Sequence, residues 1–214
     1  NYELKSDNGT KNVLVYLQDG KVNLAAPVAN SKANTITMQG GKENVGIYTV
    51  TADDKLTTAA KIDIDNSDNS IGLFAKSSGA VTNTGEISAS GKSIKAMIAQ
   101  AATITSTGKI TVNGTALSDT DGSVGLASMN GGKLTQTNAS SSIIVGGSAS
   151  IGLYADGKVD PEPPATPLTA ATATTLKVTG GTVTAKDGAF NTYAANSGTI
   201  TLDGVTLNTE PKSL

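Results

Sequence analysis

Cysteine, histidine, arginine and tryptophan are all absent from these 214 residues, and aromatics of any kind make up only 3%. Without Cys there is no disulfide framework, no thiol nucleophile and no thiolate metal site. Without His, the many Ser and Thr hydroxyls have no imidazole to activate them. Every Lys has a hydroxyl within reach by chance, so a Ser–Lys pair carries no signal in the sequence alone. All sixteen basic residues are Lys, the net charge is −2, and both signs are scattered. That excludes the basic stripe a nucleic-acid binder needs. No apolar run reaches the length of about 18 residues that a membrane-spanning helix requires. The first residues, NYELKSDNGT, lack the charged-then-apolar order of an export signal. An exported chain would have lost its signal or would carry it outside this fragment.

What is abundant is Gly (24 residues), with Ser, Thr, Asn and Ala. A core drawn from such a chain has to be built in thin layers of Ile, Val, Leu and Ala. One phrase returns along it. NVGIYTV (44–50), SIGLFAK (70–76), SVGLASM (123–129) and SIGLYAD (150–156) share an apolar-Gly-apolar-aromatic-small pattern. Aligned on the aromatic position, the series is Tyr16, Tyr48, Phe74, Met97, Ala127, Tyr154 and Tyr193, in steps of 32, 26, 23, 30, 27 and 39 residues. Most of these steps fall in the range typical of solenoid repeats.

A short apolar and Thr-rich run follows each phrase: KVNL (21–24), KLTT (55–58), AVTN (80–83), TITS (103–106), KLTQ (133–136), TLKV (175–178) and TITL (199–202). A third element follows that, marked by two apolar or small residues two apart. The pairs are Ile36/Met38, Ile62/Ile64, Ile87/Ala89, Ile110/Val112, Ile143/Val145, Val183/Ala185 and Val205/Leu207. Turn-forming Gly, Asn, Ser and Asp separate them. A period of two means strand, and no helical period is sustained. Three short strands per repeat predict an all-β solenoid, a parallel β-helix of about seven coils. Each strand then pairs with its counterpart in the neighbouring coils, about 4.8 Å away.

Alternation assigns faces. Ile71, Leu73 and Ala75 share one face, Gly72 and Phe74 the other. Lys95 and Asn191 align with Gly72, and Lys is rarely buried unpaired, so that face is predicted outside. Ile71, Leu73, Ile151, Leu153 and Ala155 are then core, while Gly152 and the aromatics Tyr48, Phe74, Tyr154 and Tyr193 form an outer wall. Those rings are a candidate platform for sugar rings or a partner surface. Four of the six prolines fall in one stretch, at 161, 163, 164 and 167. Pro cannot donate to a strand ladder, so residues 157–172 read as a loop insertion. Long solenoid loops are common binding elements, which makes Pro161, Glu162, Pro163, Pro164 and Pro167 binding candidates. Smaller excursions are expected at residues 25–34 and 116–122.

Catalytic and metal chemistry find little support. Asp53–Asp54 is the only adjacent acidic pair, the minimum for a glycosidase-like acid and base, but it sits beside a turn where Asp is common. DIDNSDN (63–69) is rich in carboxylates and amides, yet departs from the calcium-loop pattern at Ser67 and lacks its Gly. It reads as a solvated acidic edge, and Asp119 and Asp121 likewise. The double glycines at 40–41, 131–132, 146–147 and 180–181 read as turns. Sequons at Asn8, Asn113 and Asn138 are expected by chance in so Asn- and Thr-rich a chain. No cofactor and no metal is expected.

The recurring [SN]-[IV]-G-[ILV]-[YF]-[AT], then a Thr/Asn strand, then G-x-I-x-[ASIV], resembles the passenger domains of type V autotransporters, most of all long fusobacterial-type surface adhesins. The closing run NSGTITLDGVTLNT (196–209) is similar to passenger coils in general. The resemblance implies a right-handed β-helix outside the cell, exported across the outer membrane and held there by a C-terminal β-barrel of the full-length protein. It implies attachment to a protein or glycan on host cells or other bacteria, with no membrane insertion by this segment. Both ends run out in mid-pattern, so 1–214 reads as one β-helical segment of a longer passenger. Two rivals stand beside it. A polysaccharide-degrading β-helix of the tailspike or lyase kind lacks here the His and Arg such sites use, and a glycan turnover lost in Asp54→Asn would favour it. A stalk spacer would have no binding of its own. A trimeric adhesin β-roll ranks lower, because its repeats are shorter and more uniform.

Overall fold

The computed structural model describes residues 2–18, 20–26, 34–50, 55–77, 79–157 and 173–211. Among them are 22 strands and no helix. All strand pairs are parallel, and each strand pairs with the strand three places on. The result is three sheets wound into a parallel β-helix of about seven coils. At about 4.8 Å per coil the rod is about 33 Å tall.

The first sheet has eight strands: Glu3–Asp7, Thr35–Gln39, Lys61–Asp65, Ile87–Lys92, Ile110–Thr115, Ser142–Gly146, Thr182–Lys186 and Thr206–Glu210. The second has seven: Val13–Leu17, Val45–Thr49, Ile71–Lys76, Lys95–Gln100, Val124–Met129, Ile151–Asp156 and Phe190–Ala195. The third has the seven Thr-rich runs, from Lys21–Leu24 to Thr199–Asp203. Glu3–Asp7 is an additional strand that the repeat pattern does not reveal. Its inward Ser6 replaces the second apolar residue of the pair.

Apolar columns fill the interior. Ile47, Leu73, Met97, Leu126 and Leu153 stack from the second sheet, all fully buried. Leu56, Val81, Ile104, Leu134 and Leu176 stack from the third. Ile36, Ile62, Ile87 and Ile110 line the first. Each layer is thin, and aliphatic side chains of similar volume repeat in it, as close packing requires.

Polar side chains occupy the corners and satisfy the backbone where the ladders break. The residue opening the recurring phrase is one such post. Asn12 N–H donates to Asn44 Oδ1 at 3.1 Å, Asn44 N–H to Ser70 Oγ at 3.1 Å, and Ser123 N–H to Ser150 Oγ at 3.0 Å. Each corner amide therefore uses the side chain of the next coil's corner. A second post rises beside the third sheet, where Asn83 Nδ2 donates to Ser106 Oγ at 3.1 Å and Gln136 Nε2 to Ser141 Oγ at 3.2 Å. The amide nitrogens of Asn83 and Gln136 are paired there, while the buried Asn83 Oδ1 and Gln136 Oε1 have no partner.

Four expectations need correction. First, Gly72 and Gly152 are buried, not outward. A Cβ on Gly72 would lie 2.7 Å from the Ala96 carbonyl and 3.4 Å from Ile87 Cγ2, inside the coil. The strand kinks at this glycine, so Gly72 and Leu73 both face in and strict alternation fails. Second, Ile71 and Ile151 are therefore half-buried on the outer wall, not core. Third, Lys95 pairs with Ile71 rather than Gly72, which places Met97 with Leu73 in the core and Ile98 opposite Phe74. Fourth, two stacks slip by two residues: Val112 pairs with Ile143, and Val183 with Leu207. A slip of two preserves which side faces inward, whereas a slip of one reverses it. The slips therefore leave the core intact.

Candidate functional site: the apolar wall of the second sheet

Each strand offers two outward positions three residues apart, and four of the seven carry a glycine just after the first of them, at Gly46, Gly72, Gly125 and Gly152. The inner column reads Val13, Val45, Ile71, Lys95, Val124, Ile151 and Phe190. The outer column reads Tyr16, Tyr48, Phe74, Ile98, Ala127, Tyr154 and Tyr193. Parallel in-register pairing puts each residue one strand spacing from its neighbour. Fourteen positions thus make one face, and Lys95 is its single charge. Ile98 and Ala127 are themselves buried, at 7% and 2% exposure, so the exposed part of the face divides into two apolar patches, of the kind that marks an interaction surface.

The aromatic candidates fall where the sequence placed them. Tyr48 and Phe74 stack at 5.1 Å between ring centroids and 23° between planes, and Tyr16 extends the ladder to Tyr48 at 5.6 Å. Further along, Tyr154 and Tyr193 stack at 6.0 Å, and Phe190 meets Tyr193 edge-on at 6.2 Å. Such ring pairs contribute about 0.5–1.5 kcal/mol each beyond area burial. Ile98 and the small Ala127 separate the two ladders. Tyr16 belongs to the aligned aromatic series but not to the ring candidates, and Phe190 and the inner column escape notice in the sequence. Their signal was the Gly kink, which converts an apparently inward Ile into a wall residue.

The wall has polar edges. Tyr154 Oη donates to Asp156 Oδ2 at 2.8 Å, and Asn196 Nδ2 donates to Asp156 Oδ1 at 2.8 Å. Burial first, then the hydrogen bond to Asp156 and its negative charge, push the Tyr154 phenol up to about 12. Its proton is held more tightly in the folded state than in the unfolded chain, where a Tyr ionises near pH 10. The stabilisation is therefore complete below about pH 10 and is lost as the pH rises through about 12. A phenolate absorbance titration of Tyr154→Phe against the parent is expected to remove the latest-ionising step. If the late step stays, the assignment to Tyr154 is wrong.

The other candidates distribute as follows. Pro161, Glu162, Pro163, Pro164 and Pro167 lie outside the described residues, as do Asp53 and Asp54. The carboxylates of DIDNSDN are each engaged locally. Asp63 takes Lys61 Nζ at 3.2 Å, Asp65 takes Asn66 Nδ2 at 3.0 Å, and Asp68 takes the Lys92 amide at 3.0 Å. Among the described residues no three acidic side chains converge as a metal site would require. The excursion at 116–122 closes on itself through a Ser118–Asp121 bridge and returns Asp121 to the wall edge beside Lys95, with Nζ 3.7 Å from Oδ1. On the third sheet a shallow groove runs between Thr57, Ala80, Thr82, Thr103 and Thr105, rimmed by hydroxyls and methyls. No family model, no curated protein and no solved structure matches this chain.

Proposed function

We propose that the chain is an adhesive segment displayed on a bacterial surface, part of a type V autotransporter passenger of the fusobacterial kind. The full-length protein would be anchored in the outer membrane by a C-terminal β-barrel, with this segment outside the cell. In this reading the work is display rather than turnover. The rod holds a stiff face toward a protein or glycan of a host cell or another bacterium. The observation that carries it is the pair of stacked aromatic ladders on the outward column of the second sheet. Rings fixed by their own stacking lose little freedom on binding, and the column offers apolar ring edges to a partner. The β-helical fold agrees with the reading, and so do the corner Asn and Ser that explain the resemblance's [SN] position.

The test is attachment of the purified segment to host cells and to bacteria. Tyr48→Ser with Phe74→Ser should weaken attachment by about tenfold or more, on the scale of aromatic hot spots. A variant deleting 158–170 reports separately on the proline-rich insertion. Loss with the deletion alone transfers the binding site to that loop. Unchanged attachment in both variants moves the contact off the ladder and the loop, and a parent segment that does not attach leaves the spacer.

A further inference from the structure

Lys95 is out of character with its column. Ile71 and Val124 flank it on the paired strands, and every other member of the column is apolar. Its side chain is only 19% exposed. The chain folds back to the corner instead of reaching solvent. There Nζ donates to Asn69 Oδ1 at 3.0 Å, to the Ser93 carbonyl at 2.9 Å and to Ser93 Oγ at 2.8 Å. Among the described residues Asp121 is the only acid at the ammonium, and it stands further off than the neutral amide, at 3.7 Å. The Ser93 hydroxyl donates to the same Asp121 oxygen.

These groups come from three successive coils. Asn69 and Ser93 hold equivalent corner positions, both in the left-handed backbone region, with φ of 48° and 51°. Asn tolerates that conformation better than most residues. It fixes the Asn69 amide over the next coil, where Lys95 arrives.

From this geometry we propose that Lys95 and Asn69 form an intramolecular isopeptide bond, with Asp121 as the proton carrier. The neutral amine attacks Asn69 Cγ, and the new Cγ–Nζ bond forms. Asp121 takes a proton from Nζ and delivers it to Nδ2. The Cγ–Nδ2 bond then breaks and ammonia leaves. One primary amine and one carboxamide become one secondary amide and ammonia, with no oxidant or reductant. Three features support the step. The amine and the amide are in contact before reaction, which supplies proximity. Desolvation holds the Lys95 ammonium below the usual lysine range, against the opposing pull of Asp121, so the nucleophilic form is more accessible. Lys95 itself is largely covered between Ile71 and Val124, with its side chain only 19% exposed. The product is a covalent staple between adjacent coils, in a chain that has no cysteine for one.

The experiment is an intact mass of the folded protein followed by trypsin mapping. The expected mass is lighter than the sequence mass by one ammonia. The expected map shows a branched peptide joining residues 62–76 to 93–109, uncut after Lys95. Lys95→Arg keeps a cation but has no primary amine, and should restore the full mass. Asp121→Asn should slow the loss. A wild-type protein of full mass that yields separate peptides overturns the proposal and leaves an ordinary hydrogen-bonded lysine. Ammonia loss that persists in Lys95→Arg also overturns it, because a succinimide at Asn69–Ser70 has the same mass. The wild-type mass and map decide the matter even if a variant fails to fold.

Discussion

Leu126→Ala should cost about 2–5 kcal/mol of stability, the range for truncating a fully buried leucine. Leu126 has no exposed surface and sits at mid-rod, stacked between Met97 and Leu153 on the paired strands. Both neighbours are held by their own backbone ladders, so the cavity cannot close by collapse. A solenoid's stability is a sum of coil terms and nearest-neighbour contacts. Weakening a central coil removes contact with both sides at once, and a urea titration followed by circular dichroism should show a lower midpoint. Val124→Ala, two residues away on the outer wall, is the control and should shift stability by less than about 1 kcal/mol. Equal shifts in the two variants would contradict the assignment of inside and outside.

Gly125→Val should be nearly as damaging, for the opposite reason. A Cβ at Gly125 would lie 2.5 Å from the Gly152 carbonyl oxygen and 2.5 Å from Ile143 Cγ2. Neither neighbour can yield easily, because one is ladder backbone and the other a packed core branch. Overpacking of this kind costs about 1–3 kcal/mol. Gly125→Ala should be milder, since Ala96 occupies the equivalent place one coil earlier and is fully buried. The same denaturation measurement ranks the three proteins. Should the valine variant match the parent, the inward kink at this glycine is not real.

These two residues also show what made the fold readable. Leu126 and its stack announce themselves by period and by recurrence. All seven Thr-rich runs begin where the strands begin, and four also end there, because strands of one sheet must keep their register while their connections are free to vary in length. The third-strand slips of two residues were invisible, since they preserve the inward face and leave no trace in the apolar pattern. Gly125 illustrates the harder case. In V-G-L-A (124–127) the sequence looks like plain alternation, yet two adjacent residues turn inward at the glycine. That single irregularity hid half of the apolar wall and displaced Met97 and Lys95 by one position.

The candidate surfaces divide in the same way. The outward aromatics Tyr48, Phe74, Tyr154 and Tyr193 were legible from spacing, because a column of rings repeats whenever a coil does. The Lys95 corner was not. Asn69, Ser93, Lys95 and Asp121 carry no common motif, and Asp121 had been read as part of a solvated loop. They meet because coil length happens to bring them level, and the excursion at 116–122 folds back to the stack.

Local chemistry by itself determined the strands, the three-fold division of each coil, the thin aliphatic core and the outward rings. Those follow from side-chain period and turn residues, which act over a few positions. Only the stacked coils decided which apolar residues form the wall, which amide faces which amine, and how far one coil slips on the next. Those depend on register between segments some two dozen residues apart, set by backbone hydrogen bonding and close packing rather than by any short run of sequence.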